Sequence, residues 1–134
     1  YPGVREYMER TRALARSQGF VETIFGRRLY LPDINSRDRQ AQQYAERSAI
    51  NAPMQGTAAD IIKRAMINVH KWLAAKSVPA HLVMQVHDEL VLEVAESAVE
   101  KVRREVVSIM SGAAELSVAI KVATGTGKNW DEAH

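Results

Sequence analysis

Two adjacent carboxylates, Asp88 and Glu89, lie about two thirds of the way along the chain, between two segments of alternating apolar residues. Apolar residues occupy every second position on both sides of the pair: Leu82, Met84 and Val86 before it, and Leu90, Leu92 and Val94 after it. This period of two predicts two β-strands joined by a tight hairpin turn at Asp88-Glu89. Two-residue turns usually contain glycine, because their backbone needs a positive φ, and this one has none. A turn that breaks its local rule is a candidate functional site.

The chemistry of such a turn has two interpretations. Carboxylate oxygens projecting from it would suit a hard divalent cation, which prefers oxygen ligands. A solvated acidic turn without any ligand is the plainer alternative, because charged residues are mostly exposed. The pattern alone leaves both open.

A second set of candidate functional residues is spaced four positions apart: Arg47, Asn51 and Gln55. On a continuous helix these three side chains would share one polar face. That face could bind a ligand, or it could simply face solvent, as polar stripes on helices commonly do.

Helical and extended patterns alternate along the first half of the chain. Apolar spacing predicts an amphipathic helix over Val4–Ser17 and a short hairpin formed by Phe20–Ile24 and Arg27–Leu31. A further helix is expected from Asp38. Pro53 should divide it into two pieces that meet at a kink, since proline lacks an N–H and clashes with the preceding turn.

The second half should complete one sheet and its covering helices. The spacing predicts that the second helical piece extends from about Pro53 to Ala75 and that another helix covers Ala98–Met110, ending at Gly112. Leu116–Val122 predicts a final strand that joins the sheet of the acidic hairpin. Helices packed on an antiparallel sheet give an α+β fold.

Composition excludes several classes of protein. The 134 residues include no cysteine, which excludes disulfides and cysteine-ligated metals. No apolar segment approaches the roughly 20 residues of a membrane span, and no leader pattern is visible, so we expect a cytoplasmic protein. The net charge of +2 does not argue for nucleic acid. Residues 1–50, however, hold nine arginines and no lysine, which favours phosphate contacts, although solvated helix faces are the alternative.

Four stretches carry a resemblance to a known family. Gln85–Leu90 closely resembles the third conserved motif of family A DNA polymerases, and Arg47–Met66 is similar to the helical segment before that motif. Phe25–Asp33 and the closing Asn129–His134 match the same family. Together the matches span essentially the whole chain, in the order that the family has them.

The resemblance implies a piece of a bacterial enzyme that adds dNTPs to a primer 3′ end by two-metal chemistry during DNA replication and repair. It implies residues 1–37 as a helix and hairpin derived from the fingers, and residues 38–134 as the C-terminal part of the palm. Asp88 and, less essentially, Glu89 would be catalytic and hold two Mg²⁺ ions. Arg47, Asn51, Gln55 and His87 would contact primer–template DNA. A second aspartate and the groups that grip the triphosphate would come from the upstream remainder of the polymerase.

Several further expectations follow for the chain on its own. We expect no bound metal, no polymerase activity, and N-terminal apolar residues that are exposed or buried against a second copy: Tyr7, Met8, Leu14, Phe20 and Ile24. The location would be the bacterial nucleoid. One alternative is a catalytically silent nucleic-acid-binding or scaffolding domain, which would bind duplex DNA by itself. Another is an independent metal hydrolase using Asp88 and Glu89, which lacks a convincing third ligand.

Overall fold

The computed structural model describes residues 1–134, and its contacts group them into two compact units, Tyr1–Asp60 and Ile61–His134. The division predicted after residue 37 concerns the parts of a larger enzyme and stays a prediction. None of the helices combines the length and the apolar character needed to cross a membrane.

The first unit begins with a helix whose ends are set by proline and glycine. Helix α1 runs over Pro2–Gln18, with Pro2 in the first turn, where its missing N–H costs no hydrogen bond. Gly19 follows with φ 80°, a conformation that glycine adopts without a Cβ clash, and its N–H donates to the Ala15 carbonyl at 2.8 Å. The helix predicted over Val4–Ser17 is confirmed.

A short antiparallel hairpin follows α1. Strand β1 covers Phe20–Glu22 and strand β2 covers Arg28–Tyr30, with Phe20 paired to Tyr30. Arg28 donates from Nε to a Glu22 carboxylate oxygen at 2.8 Å, and this bond raises the pKa of the guanidinium above its ordinary value. The predicted hairpin is confirmed, with strands shorter than predicted.

One long helix, α2, covers Arg39–Ala75 with Pro53 inside it. The prediction of two helical pieces is therefore wrong. Proline removes one backbone hydrogen bond and costs about 3 kcal/mol in a helix interior. Packing on the preceding turns opposes that cost, because Ala45 and Ala49 are buried in the core of the first unit and Ala52 packs against it.

That core gives α1 and the first hairpin partners within the chain. It is formed by six buried residues: Ala15, Val21, Leu31, Ile34, Ala45 and Ala49. The expectation that the N-terminal apolar residues would lie exposed or against a second copy is accordingly wrong for Tyr7, Met8 and Phe20, which are half-buried. It is confirmed for Leu14 and Ile24, which are 50% and 57% exposed.

The second unit is built around a second hairpin. Strand β3 covers Ala80–Val86 and strand β4 covers Glu89–Val94, paired antiparallel. A 3₁₀ turn at Glu96–Ala98 leads into helix α3, Val99–Ser111, which ends at Gly112 as predicted. The shared core joins α2, the hairpin and α3 through Val69, Leu73, Ala80, Ala98, Val102 and Val106.

The predicted strand over Leu116–Val122 is absent, which corrects the predicted sheet. Strands β3 and β4 pair only with each other, so the α+β chain contains two separate two-stranded sheets. Leu116 and Val118 are 39% and 70% exposed. Alternating apolar residues make a segment suitable for a strand, but a strand forms only where a neighbour accepts its backbone hydrogen bonds.

A short C-terminal helix, α4, covers Trp130–Ala133 and lies directly against the segment that precedes it. A Cβ at Gly125 would be 1.8 Å from the Ala133 carbonyl oxygen, and a Cβ at Gly127 would be 2.5 Å from Cβ of Glu132. Only glycine permits this approach.

We therefore expect Gly125→Ala to detach α4 from the segment around Gly125, because the added methyl group would collide with the Ala133 backbone. The Glu132 and Ala133 amides, which donate to Asn129, should then exchange with deuterium about 10-fold faster or more. The matched control is Gly3→Ala in α1, where a Cβ meets nothing within 4 Å. Equal protection of the two amides in both variants would contradict the predicted clash.

Candidate functional site

The acidic hairpin turn lies one residue earlier than the sequence predicts. Val86 pairs with Glu89, so the two turn residues are His87 and Asp88, and Glu89 opens β4. The positive φ that such a turn needs falls on His87, at 52°. Histidine tolerates this region better than β-branched residues do, although at some cost in strain.

A β-bulge in β3 gives the turn its second residue. Leu82 pairs with Leu92, but Met84 already pairs with Val91, so β3 contains one residue more than β4 between these pairs. Regular pairing beyond Leu82 would have set Val86 opposite Asp88 and left a single residue for the turn. The extra residue makes room for two.

The two carboxylates at the turn differ in exposure and in their contacts. The Gln85 side chain donates from Nε2 to the His87 carbonyl at 3.0 Å and steadies the backbone of the turn. The Asp88 side chain is exposed, and no hydrogen bond or ion pair within the chain holds its carboxylate. Glu89 is half-buried, and its Oε1 lies 3.1 Å from Nδ1 of His134. Asp88 is thus free for a ligand from outside, while Glu89 has a partner.

His134 was missed by the sequence analysis, which matched its stretch to the family without giving it a role. It follows α4 directly, and no spacing in the sequence relates it to Glu89. Only the folded chain brings the two together.

The donor chemistry fits a hard cation, but the donor set is incomplete. Two neighbouring carboxylates are suitable oxygen ligands. Nowhere in the chain do three His, Cys, Asp or Glu side chains come together in a group that could hold a metal ion. Because Mg²⁺ demands near-octahedral oxygen coordination, the residues of this chain do not complete a site by themselves.

The polar set on α2 keeps the geometry that the spacing predicts. Arg47, Asn51 and Gln55 are all exposed, and the helix continues through Pro53, so they lie within a sector of about 80°. Ala45 and Ala49 on the same helix are buried. The three side chains therefore share one accessible face, which leaves their role as a prediction.

An aromatic residue extends this face and was also missed. Tyr44 is 68% exposed, and the Arg47 guanidinium carbon lies 5.9 Å from the centre of its ring. Tyrosine three residues before an arginine on a helix was the available signal. A flat, exposed ring beside a cation is suited to stacking on a base or sugar.

Residues directly after Gln55 bind the loop between β1 and β2. Thr57 Oγ1 accepts from the Ile24 N–H at 3.1 Å, and Arg27 donates from Nε to Asp60 Oδ1 at 2.7 Å. A Cβ at Gly56 would lie 2.8 Å from the Thr23 methyl group, so glycine allows the loop to approach. This stretch therefore docks the loop and leaves Gln55 exposed.

The arginine-rich first part of the chain is partly engaged in ion pairs. Arg16 pairs with Glu46, Arg27 with Asp60 and Arg28 with Glu22. A phosphate role for the remaining arginines stays a prediction.

Comparison with known proteins gives one consistent family. The family described as DNA polymerase family A matches residues 1–132. DNA polymerase I of Pseudomonas aeruginosa is 61% identical over 134 residues, which is all of this chain and 15% of that protein. The thermostable DNA polymerase I of Thermus filiformis is 48% identical over 133 residues, covering 99% of this chain and 16% of that protein.

A solved structure agrees with these relatives. The POL domain of Pol1 from M. smegmatis, in complex with DNA primer-template and dNTP, matches with a TM-score of 0.96 and 43% identity. The match covers 99% of this chain and 24% of that one. The chain thus spans about 15% of the length of the curated relatives it matches.

The positive φ of His87 leads to a prediction about the stability of the chain. His87→Gly should raise the free energy of unfolding by about 0.5–1 kcal/mol, because glycine adopts a positive φ without the Cβ clash but loses more chain entropy. Ser77→Gly is the matched control, since Ser77 has a similar φ of 47°. Urea denaturation measures both. Stabilisation by Ser77→Gly alone would show that the imidazole itself stabilises the hairpin.

Proposed function

Since the chain belongs to DNA polymerase family A, we propose that it forms part of a DNA-directed DNA polymerase, a nucleotidyltransferase acting in replication and repair. The proposal rests on the position of the Asp88 carboxylate. Within the stretch that matches the family, this carboxylate stands exposed at the tip of a strained hairpin without a partner in the chain. The strained backbone at His87 costs stability, and strain beside a free carboxylate suits a site that waits for a ligand.

In this proposal Asp88 and Glu89 are the catalytic carboxylates and hold Mg²⁺ together with ligands outside this chain. When bound, a pair of metal ions would activate the primer 3′ oxygen and neutralise charge on the leaving pyrophosphate. Asp88 contributes the free carboxylate. Glu89, already held by His134, contributes the lesser share.

The exposed face of α2 would bind the primer–template. Asn51 and Gln55 carry amide donors that can reach the minor-groove acceptors, which are present in every base pair and therefore tolerate every correct sequence. Arg47 can donate two parallel hydrogen bonds to a phosphate. His87, exposed at the turn, would donate to the nucleic-acid backbone near the primer terminus.

The partners are correspondingly primer–template DNA, dNTPs and the upstream remainder of the polymerase. The related M. smegmatis domain was solved with primer-template and dNTP. The relatives named above are bacterial, and we place this chain with the DNA of the bacterial cytoplasm, in the nucleoid.

A catalytically silent nucleic-acid-binding or scaffolding domain is the second candidate. It is favoured by the incomplete donor set, since no three ligating side chains of this chain come together. The two candidates differ in what Asp88 does. A silent domain would not need its carboxylate.

The first prediction of the proposal concerns Asp88→Ala in the complete polymerase. Single-turnover dNTP incorporation should fall by about 10²–10³-fold, since a carboxylate that holds the catalytic metals contributes several kcal/mol to the transition state. Primer–template affinity should stay within about 2-fold, because one exposed acidic group contributes little to DNA binding. Glu89→Ala should reduce the rate less.

Glu93→Ala is the matched control for this measurement, because Glu93 is an exposed carboxylate on the same hairpin, away from the turn. Near-normal incorporation by Asp88→Ala would overturn the catalytic assignment and leave the silent domain.

The second prediction concerns Asn51→Ala and Gln55→Ala. Each should lower the preference for extending matched over mismatched primers by about 5- to 10-fold. This is the contribution of one or two hydrogen bonds to minor-groove acceptors, which a mismatch displaces. Metal affinity should change less than extension. Extension kinetics on matched and mismatched termini provide the test.

Met54→Ala is the control here, because Met54 is 56% exposed on the same stretch of helix but has no amide. A wild-type ratio of matched to mismatched extension in both amide variants would favour a merely solvated stripe.

A further inference from the structure

The contact between Glu89 and His134 joins the acidic hairpin to the C-terminal segment. Nδ1 of His134 lies 3.1 Å from Oε1 of Glu89, within hydrogen-bond distance of an imidazole N–H donor. The contact is an approach of the ring nitrogen to one of the two carboxylate oxygens.

The C-terminal segment is built to hold that imidazole in place. Asn129 caps α4, accepting from the Glu132 N–H at 2.9 Å, and Glu132 in turn accepts from the Lys128 N–H at 3.0 Å. The Trp130 ring meets the edge of the His134 ring, with centroids 6.0 Å apart. A four-residue helix is not stable alone, so these contacts and the close approach of Gly125 define where it lies.

The two neighbouring carboxylates therefore differ in their freedom. Asp88 has no partner in the chain, so its side chain can follow an incoming ligand. Glu89 has a long, flexible side chain, and the contact of one carboxylate oxygen with His134 restricts its rotamers. Partners of this kind orient carboxylates in metal sites.

From this geometry we infer that His134 is a positioning residue that holds the Glu89 carboxylate ready for the metal-bound reaction. The inference rests on the proposed function, because it requires Glu89 to act in the site. His134 itself touches neither substrate nor metal in this arrangement.

The test compares His134→Ala with His134→Asn in the complete polymerase. Asn places an amide N–H donor near the position of Nδ1, so it should retain most activity. His134→Ala should lower the single-turnover incorporation rate by about 3- to 10-fold, with dNTP affinity unchanged. His70→Ala, which removes an exposed histidine from α2, should behave as wild type.

A second readout avoids turnover. Mn²⁺ binding, followed by electron paramagnetic resonance on a complex with a dideoxy-terminated primer and dNTP, should weaken in His134→Ala and recover in His134→Asn. In a Glu89→Ala background, His134→Ala should have no additional effect on rate or on Mn²⁺ affinity, because the group through which it acts is gone.

The outcomes separate this inference from the proposed function. Three outcomes would overturn the positioning role while Asp88→Ala still lowers incorporation as predicted. They are wild-type incorporation by His134→Ala, failure of His134→Asn to restore it, and an undiminished effect of His134→Ala without Glu89. If Asp88→Ala is itself active, the proposed function fails, and the positioning role fails with it.

Discussion

The continuity of α2 through Pro53 is the constraint on which the rest of the structure depends. The same helix supplies Ala45 and Ala49 to the core of the first unit and Val69 and Leu73 to the core of the second. Burial on both sides of the proline outweighs the hydrogen bond that it removes. Because the helix is not interrupted, Gln55, after the proline, keeps a common direction with Arg47 and Asn51 before it.

The acidic turn, in contrast, has two features that do not stabilise the fold. His87 has a backbone conformation that favours glycine, and Asp88 has a charge without a partner. Neither feature helps the chain to fold. Both are tolerated because the hairpin below the turn is anchored in the core of the second unit. Ala80 is buried in that core, and Leu82, Leu90, Leu92 and Val94 pack against it. Exposure keeps the cost of the unpaired carboxylate small, since water solvates it until a ligand arrives.

The C-terminal segment has a role that extends beyond closing the chain. Its glycines permit a backbone contact that larger residues would prevent, and this contact holds a four-residue helix too short to form alone. The helix brings an imidazole to the first residue of β4. A side chain at the start of that strand is thereby oriented by a residue distant in sequence, as is common where several elements converge on a site.

The sequence by itself determined the elements with strong local signals: α1 with its proline and glycine ends, both hairpins, α3 and the family motifs. Local periodicity and capping suffice there, because each signal lies within a few residues. Tertiary structure alone decided the unbroken α2, the bulge that gives the His87-Asp88 turn two residues, the absent strand at Leu116–Val122 and the contact of Glu89 with His134. Each of these depends on what a segment packs against or pairs with, and such a partner is distant in the sequence.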